Sequence, residues 1–444
     1  MEKTKAQNLS SQTVLDVPRT STAIFVLLLL IPFVSTIVYG GVDSGSWVIL
    51  VFAGALIAAL WLIQGVVWGQ LEIAKSGLLI PLIGLIIIGF IQILPIFANG
   101  PISLDPYATR LFVIRLCVYA VFFAAAVTFI NSETRIKVAI VSVMLFGSAM
   151  AFFAILQRLA NPEAIYGLRE AHQAIPFGSF VNQHHFAAFM EMTAGLTFAL
   201  MFSPALKRNH KIFVVIAAVI MGVACILTSS RGGLLSFAAG FIFVTLLTFV
   251  RKNDEKTGRH KNFSLVAIAG ASIIFLTVVI VMYVGGNDSL LRGIGVSGTQ
   301  ADITNGRFHF WSIAIQIFID HPILGAGLDA FGVAFPKYDT WTGIFRVEQA
   351  HNDYLQTLAD SGIAGAVCVA VFIFFLVKKG LETVNTAESR FRRASAIGAL
   401  AGCSAILIHS FVDFPLRTPS NAFFFLLLAA IVTVNIRSAN RDST

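Results

Sequence analysis

The amino-acid sequence predicts an all-α, polytopic membrane protein with about twelve transmembrane helices. Of the 444 residues, 57% are hydrophobic and only 12% are charged, and the mean hydropathy is +0.83. A soluble domain carries roughly twice this charged fraction. The 40 phenylalanines lie in long apolar runs. This composition indicates a chain that is solvated by lipid as well as by water.

Twelve windows along the chain have the length and composition of a membrane-spanning helix, which needs about 20 mostly apolar residues. The first eight are 22–39, 46–64, 77–97, 108–130, 137–157, 182–202, 211–228 and 232–250. The other four are 263–284, 362–377, 394–412 and 420–436. The first apolar run lacks a clear small-x-small cleavage site, so we interpret it as a retained span and not as a signal peptide.

The distribution of basic residues predicts the orientation of these spans. If the N-terminus is cytoplasmic, the cytoplasmic segments hold most of the 31 Lys and Arg residues. The net charge of +8 therefore reflects membrane topology and gives no reason to expect a nucleic-acid partner. All four cysteines lie inside predicted spans, where we interpret them as small apolar side chains and not as disulfides or metal ligands.

This topology divides the chain into four parts. A cytoplasmic tail (1–21) precedes spans one to nine (22–284), a long outside loop (285–361) follows, and spans ten to twelve end in a second cytoplasmic tail (362–444). Long loops commonly carry function. The outside loop is therefore the part of the sequence in which we search first for a functional site.

The outside loop has helical features of its own. Phe308, Trp311, Ile315 and Phe318 have the spacing of one apolar helix face between residues 307 and 320. Thr304 or Asn305 could cap the start of this helix, and Pro322 follows its end. The next segment, HPILGAGLDAF (321–331), has the composition of a turn. A second helix is predicted to begin near Asn352 and to break at Ser361 and Gly362, so we expect two short helices packed on the outer membrane surface.

Two arginines on the outer side are candidates for binding an anion. Arg231 lies in TSSRGGLL between two spans, where it either snorkels to the interface or binds phosphate oxygens, which suit a planar guanidinium. Arg307 opens the predicted loop helix, where its charge opposes the helix dipole, so a nearby anion would explain it better than helix stability. The competing interpretation of Arg307 is a surface salt bridge with Asp302 or Asp320.

His351, in QAHNDYLQ, is the candidate base. It adjoins a predicted helix N-terminus, which favours a neutral imidazole able to accept a proton from a hydroxyl group. A loop histidine is more often structural or solvated, and Glu348 and Asp353 are rival bases.

The remaining polar residues give weaker signals. His184 and His185 are adjacent, so on a helix they point about 100° apart and make a poor metal pair. Glu191, inside a predicted span, could pair with Arg115 or line a pathway. Asp413 and Arg417 are four residues apart and are predicted to pair with each other. The chain contains no D-x-D motif, so a divalent-metal site for a sugar nucleotide has no support.

Four segments resemble the O-antigen ligase and polymerase superfamily of bacterial envelope glycosyltransferases. They are TSSRGGLLSF (228–237), GRFHFWSIAIQIFIDHPILGAGLDAF (306–331), AHNDYLQTLADSGIAGA (350–366) and FVNQHHFAAF (180–189). The motifs cover roughly residues 180–366, and the first five spans match the family only by hydropathy. The resemblance implies a bacterial inner-membrane enzyme in which 285–361 is a periplasmic catalytic loop.

The resemblance also implies a reaction. Family members transfer a glycan from undecaprenyl diphosphate to an acceptor hydroxyl, on lipid A-core in ligases or on a growing glycan in polymerases. The family's key residues correspond to Arg231, Arg307 and His351, and we expect further substrate contacts from one aromatic and three polar residues, namely Trp311, Asn182, Asn352 and Asp353. Two guanidinium groups can hold the diphosphate leaving group and an imidazole can assist the hydroxyl, so inverting transfer requires no metal or other cofactor. A ligase is the preferred interpretation, and a Wzy-type O-antigen or exopolysaccharide polymerase is the alternative.

Two interpretations of other classes stay open. A small-solute transporter, such as a bicarbonate carrier, would carry charges or broken helices near the bilayer midplane and a repeat between the two halves. Intramembrane charge is sparse here, at Arg115 and Glu191, and no repeat is visible. The third interpretation is a non-catalytic scaffold for envelope assembly. The presence of Arg231, Arg307 and His351 argues only weakly against it.

Overall fold

The computed structural model describes residues 19–69, 71–95, 100–160, 164–171, 174–249, 306–341 and 346–436. The described chain is almost entirely helical, and its only sheet is a two-stranded hairpin. The all-α prediction is therefore confirmed. The predicted ninth span, 263–284, and the first part of the outside loop lie beyond the described residues.

The helices of the N-terminal half coincide with the first eight predicted spans. They are α1 (Arg19–Ile37), α2 (Ser44–Trp68), α3 (Leu79–Ile93), α4 (Pro106–Phe129), α5 (Glu133–Ala160), α6 (Gln183–Phe202), α7 (Arg208–Leu227) and α8 (Arg231–Phe249). Strands β1 (Ala164–Ile165) and β2 (Arg169–Glu170) form the small hairpin between α5 and α6. Arg169 ties this hairpin to Asp43, at the start of α2, through two hydrogen bonds.

The C-terminal half contains the two helices of the loop region and the last predicted spans. They are α9 (Arg307–Asp320), α10 (Phe331–Ala334), α11 (Asp353–Thr386), α12 (Arg390–His409) and α13 (Pro419–Thr433). In the described part of the chain, nine helices are long and apolar enough to cross a membrane, and α3 and α13 are shorter apolar helices. The polytopic membrane fold is confirmed, with eleven of the twelve predicted spans corresponding to described helices.

Helix α6 lies at the centre of the bundle. In its membrane-spanning window 94% of the residues are buried, compared with 33% for α2 and 22% for α8. Helices with one exposed apolar face are those expected to contact lipid, whereas α6 packs against protein on all sides. Its first turn lies at the same end of the bundle as the start of α8 and the end of α12, where the candidate residues gather.

The loop helices form a small unit on this end of the bundle. On α9, Ile313, Ala314 and Ile317 are buried against α10 and the residues that follow it. The apolar face predicted from residues 308 to 318 is a different one, and Phe308 on that face is 64% exposed. An exposed apolar face on a helix at a membrane surface is suited to contact with lipid. The predicted capping residues of α9 are not described; Gly306 immediately precedes this helix.

The predicted break at Gly362 is present inside α11. Gly362 has φ 60° and ψ −161°, a conformation that only glycine adopts readily. The chain after the break hydrogen bonds to the turn-like segment, through the amide of Ile363 and the carbonyl of Pro322 (2.9 Å). The first turns of α11 are thereby fixed to the loop unit as well as to the bundle.

Two predicted ion pairs are wrong. Asp413 does not pair with Arg417, because residues 413–417 lie in a turn and a short 3-10 helix where i,i+4 spacing does not bring side chains together. Arg417 instead binds Asp329 and Asp360. Arg115 lies 3.4 Å from Asp329, whereas Glu191 lies 2.7 Å from His409.

Candidate active site

A cavity of about 230 Å³ opens at the end of the bundle where the candidate residues gather. We call it the charged cavity; its lining residues are Arg158, Ile175, Gln183, His184, Ser229, Ser230, Arg231, Gly232, Arg307, His409, Val412 and Asp413. Five helices contribute to it, so its residues come from widely separated parts of the sequence. Both predicted anion-binding arginines line this one cavity.

Arg231 is the first residue of α8. The turn before it is tight, since Ser229 has a positive φ of 55°, and the Ser230 hydroxyl accepts a hydrogen bond from the Gly233 amide at 3.1 Å. His184, from the first turn of α6, contacts the same hydroxyl at 2.9 Å. The Arg231 side chain is exposed and pairs with no described residue. Its guanidinium is therefore open to a ligand in the cavity.

Arg307 is the first residue of α9 and does have an anionic partner. Its Nη2 atom lies 3.5 Å from Oδ2 of Asp413. Asp320, one of the two partners predicted from the sequence, instead binds Lys337 and Tyr338. The partner of Arg307 is thus a carboxylate from the loop between α12 and α13, more than 100 residues away in the chain.

His351 lies against the same carboxylate. Its Nδ1 atom is 3.2 Å from Oδ1 of Asp413, and its ring packs edge-on against Phe414. The backbone at His351 has φ 52°, an uncommon conformation for a non-glycine residue. Such strained backbone is often found at functional sites, where the surrounding structure enforces it. Here the neighbouring residues Asn352 and Asp353 provide that enforcement.

The two residues after His351 fasten it to the loop that carries Asp413. The Asn352 side chain caps α11 by accepting from the amides of Tyr354 and Leu355, and it donates to the Phe411 carbonyl. The amide of Asp353 donates to the carbonyl of Ser410, and its carboxylate accepts from the Ser410 hydroxyl. Neither residue lines the charged cavity, so their predicted substrate contacts stay a prediction.

The other two predicted substrate contacts also have structural partners. The Trp311 indole donates to the carbonyl of His351 at 3.4 Å, which supports the strained backbone there. Asn182 caps α6 by accepting from the His184 amide at 2.8 Å. Each of these side chains is adjacent to the site, and neither lines the charged cavity.

Asp413 is the central site residue that the sequence did not identify. Its side chain is 1% exposed and contacts both His351 and Arg307, with Nδ1 of His184 at 4.0 Å. Burial alone would raise the pKa of this carboxyl. The hydrogen bond from His351 and the surrounding histidines outweigh burial and hold the pKa of Asp413 well below its usual value. The group is therefore a carboxylate at neutral pH.

Arg158 and His184 are further cavity residues without a predicted role. The predicted fifth span ends at 157 and leaves Arg158 outside it, but α5 continues to Ala160 and carries Arg158 in its last turn. His184 was judged only as a poor metal ligand. The available signal was their position, since Arg158 and His184 lie at the outer ends of two predicted spans, and His184 belongs to the motif that contains Asn182.

The charge of the cavity favours an anionic ligand. Three arginines line it against one lining carboxylate, Asp413, and neither Arg158 nor Arg231 pairs with a described side chain. Guanidinium groups bind phosphate oxygens through paired hydrogen bonds, and their strength increases where water is excluded. A diphosphate held by Arg158, Arg231 and Arg307 would lie next to the His351–Asp413 pair, where a hydroxyl group could be activated.

One comparison with known proteins gives a match. Residues 216–370 match the Wzy_C family, described as O-antigen ligase. No curated protein sequence matches the chain. The matched segment contains Arg231, Arg307 and His351, and it confirms the resemblance to the O-antigen ligase superfamily. The match, together with the apolar helices, supports a multi-pass bacterial membrane enzyme of the ligase or polymerase type.

Proposed function

We propose that this protein is an O-antigen ligase-type glycosyltransferase of the bacterial inner membrane, with the charged cavity facing the periplasm. It transfers a glycan from undecaprenyl diphosphate to an acceptor hydroxyl, on lipid A-core or a similar acceptor. The observation that carries the proposal is the shared carboxylate of Asp413, which contacts a candidate base, His351, and a candidate anion-binding residue, Arg307.

The donor site follows from the arginines. Arg231 and Arg307 bind the diphosphate, and Arg158 adds a third guanidinium from α5. Because the leaving group departs as a diphosphate anion, positive charge assists it more than a proton donor would. The spans around the cavity would hold the polyprenyl chain in the bilayer, with the diphosphate at the level of Arg231.

The acceptor side follows from His351. Because Asp413 accepts a hydrogen bond from Nδ1–H, the other ring nitrogen, Nε2, is left as the acceptor of the hydroxyl proton. The acceptor oxygen forms a bond to the anomeric carbon of the donor sugar while the bond from that carbon to the diphosphate oxygen breaks. The proton ends on His351, where the Asp413 carboxylate stabilises the imidazolium, and the anomeric configuration inverts.

The direct test replaces Arg231, Arg307 and His351 singly with Ala and measures glycan transfer from the lipid-linked donor in isolated membranes. We expect each variant to lose most of its activity while accumulating in the membrane at normal levels. Arg346→Ala is a matched control, because Arg346 is 75% exposed and pairs with Glu348 outside the cavity. Full activity in all three site variants would exclude the proposed function and leave the transporter or scaffold interpretations.

A polymerase that uses the same donor is the second candidate, because the donor chemistry would be identical. The surface glycan of a deletion strain separates the two activities. Polymerised glycan that stays on the carrier indicates the loss of a ligase, whereas single repeat units indicate the loss of a polymerase.

A further inference from the structure

A buried acid–imidazole pair lies at the wall of the charged cavity, which His409 lines. Glu191 of α6 and His409 at the end of α12 are 2% and 1% exposed, and Oε1 of Glu191 lies 2.7 Å from Nδ1 of His409. Burying an ionisable group inside a membrane helix costs free energy, so such groups usually have a functional role. The proposed transfer reaction, as described above, uses neither residue.

The Glu191–His409 pair is not needed to hold α6 and α12 together. The two helices already pack at backbone contact, since a Cβ atom on Gly195 would lie 2.7 Å from the amide nitrogen of Gly402. A Cβ on Gly398 would likewise lie 2.8 Å from the Cα of Leu196. Small residues of this kind are sufficient for close helix association in a membrane. The Glu191–His409 pair lies on the same two helices but closer to the cavity, which points to a role there.

His409 contacts the segments that carry two of the site residues. Its carbonyl oxygen accepts the backbone amides of Val412 and Asp413, at 2.9 and 3.1 Å, and so sets the turn that presents the Asp413 carboxylate. Its imidazole packs against the first turn of α8, where a Cβ on Gly232 would lie 3.0 Å from both Cδ2 and Nε2. Gly232 follows Arg231 directly, so the ring fixes the distance between the start of α8 and the Asp413 turn.

The orientation of this ring depends on Glu191. Among the described residues, Nε2 of His409 is buried without a hydrogen-bond partner, as is Oε2 of Glu191. The hydrogen bond between Nδ1 and Oε1 is therefore the only described polar contact of the His409 side chain. Without it the imidazole would be free to rotate about its side-chain bonds, and the first turn of α8 would lose a rigid neighbour.

We propose that Glu191 and His409 are positioning residues of the charged cavity. Glu191 holds the His409 ring, and His409 sets Arg231 and Asp413 at the separation that glycan transfer needs. This inference rests on the proposed function, because it assigns the pair to the same reaction. It predicts that the effect appears in kcat, since a displaced catalytic group slows the chemical step even when the donor still binds.

The test compares three variants in the membrane transfer assay with purified donor. Glu191→Leu removes the hydrogen bond, and His409→Phe keeps a ring of similar size without it. We expect kcat to fall by about 10²-fold in both, as for other small displacements of reacting groups. Glu191→Gln keeps an oxygen that can accept from Nδ1–H, and we expect it to recover most of the activity that Glu191→Leu loses.

Thr197→Val is the matched control, because Thr197 is buried on the same helix and its hydroxyl bonds to its own helix backbone. The protein in the membrane is quantified for every variant. If Glu191→Leu does not accumulate, His409→Phe carries the test. A kcat within twofold of wild type for His409→Phe or Glu191→Leu would overturn the inference. If the Arg231, Arg307 and His351 variants are active as well, the proposed function itself has failed. If those three variants are inactive, only the positioning role of Glu191 and His409 is excluded.

Discussion

The imidazole of His351 lies 3.2 Å from the carboxylate of Asp413, although 62 positions separate the two residues in the chain. The other carboxylate oxygen of Asp413 faces Arg307 at 3.5 Å. One buried carboxylate therefore orients the proposed base and also pairs with an arginine of the proposed donor site. This shared position makes Asp413 the residue on which both halves of the proposed reaction would depend.

Asp413→Asn should abolish most of the transfer activity. The amide can donate to Nδ1 of His351, which would place the proton of the imidazole on Nε2 and block its role as a base. A comparable replacement in a histidine–aspartate pair lowers kcat by about 10⁴-fold, and we expect a loss of about 10²-fold or more here. The measurement is kcat for glycan transfer in membranes that contain equal amounts of each protein.

Asp320→Asn is the control for this variant. Asp320 is a carboxylate of the same loop region, but it is exposed and binds Lys337 and Tyr338 outside the cavity. Its replacement should leave kcat unchanged. An Asp413→Asn enzyme as fast as wild type would show that His351 acts without this partner.

The low pKa of Asp413 predicts how stability depends on pH. A carboxyl group whose pKa is lower in the folded state stabilises the fold above its unfolded pKa, which is about 4, and loses this contribution as pH falls through the folded value. The difference in thermal stability between wild type and Asp413→Asn should therefore not shrink as the pH falls from about 8 to 5. It should shrink only in stronger acid.

Thermal unfolding of the two proteins in detergent across this pH range measures the difference. If the difference in thermal stability already narrows between pH 7 and pH 5, the carboxyl group of Asp413 takes up a proton in that range. In that case Asp413 would not be a permanent partner for His351 and Arg307.

The sequence predicted the spans well and the site only in part, for a physical reason. A span is a local property, because some twenty apolar residues are enough to place a helix in lipid. The partner of Arg307 is not local, since Asp413 arrives from another part of the chain through the packing of α9 against the α12–α13 loop. The spacing of Asp413 and Arg417 suggested a helical pair, but the chain is not an α-helix there.

The length of α5 shows a second limit of the sequence. Hydropathy ended the predicted span at 157, because Arg158 is charged, whereas backbone hydrogen bonding continues the helix to Ala160. Three residues of difference decide whether Arg158 belongs to a solvated loop or to the wall of the charged cavity. Helix ends are the part of a structure that sequence predicts least reliably, and here a site residue lies at the end of a helix.

Arg158→Gln should weaken donor binding without destabilising the protein. The side chain lines the charged cavity and pairs with no described residue, so its removal leaves no carboxylate of the described residues unpaired. A hydrogen bond to a charged group contributes about 1.5 to 3 kcal/mol, which corresponds to a rise in KM for the lipid-linked donor of roughly ten- to a hundredfold. Steady-state kinetics over a range of donor concentrations measures this change.

Arg346→Gln serves as the control for Arg158→Gln, because it removes an exposed arginine that does not line the cavity. Its KM for the donor should stay at the wild-type value. If Arg158→Gln also keeps the wild-type KM, the diphosphate lies away from α5, and the donor site consists of Arg231 and Arg307 alone.

Gly362→Ala should destabilise the protein far more than Gly69→Ala, although both glycines have positive φ. At Gly69 (φ 69°, ψ 5°) an added Cβ meets no described atom within 4 Å, so the cost is the backbone strain of about 1 to 2 kcal/mol. At Gly362 (φ 60°, ψ −161°) it would lie 2.5 Å from the carbonyl carbon and oxygen of Ile323 and 2.8 Å from the Gly325 amide. These are backbone atoms, which cannot move aside without breaking the hydrogen bonds of α11 to the loop.

We therefore expect Gly362→Ala to lower the unfolding free energy by about 4 kcal/mol or more, the range of severe core substitutions. Thermal unfolding in detergent compares the two variants directly. Because the segment before Gly362 begins next to His351, any folded Gly362→Ala protein should also lose transfer activity, while Gly69→Ala should keep it. Equal stability of the two variants would mean that the break in α11 relaxes into a continuous helix, and that the contacts of residues 322–325 do not hold the start of α11 in place.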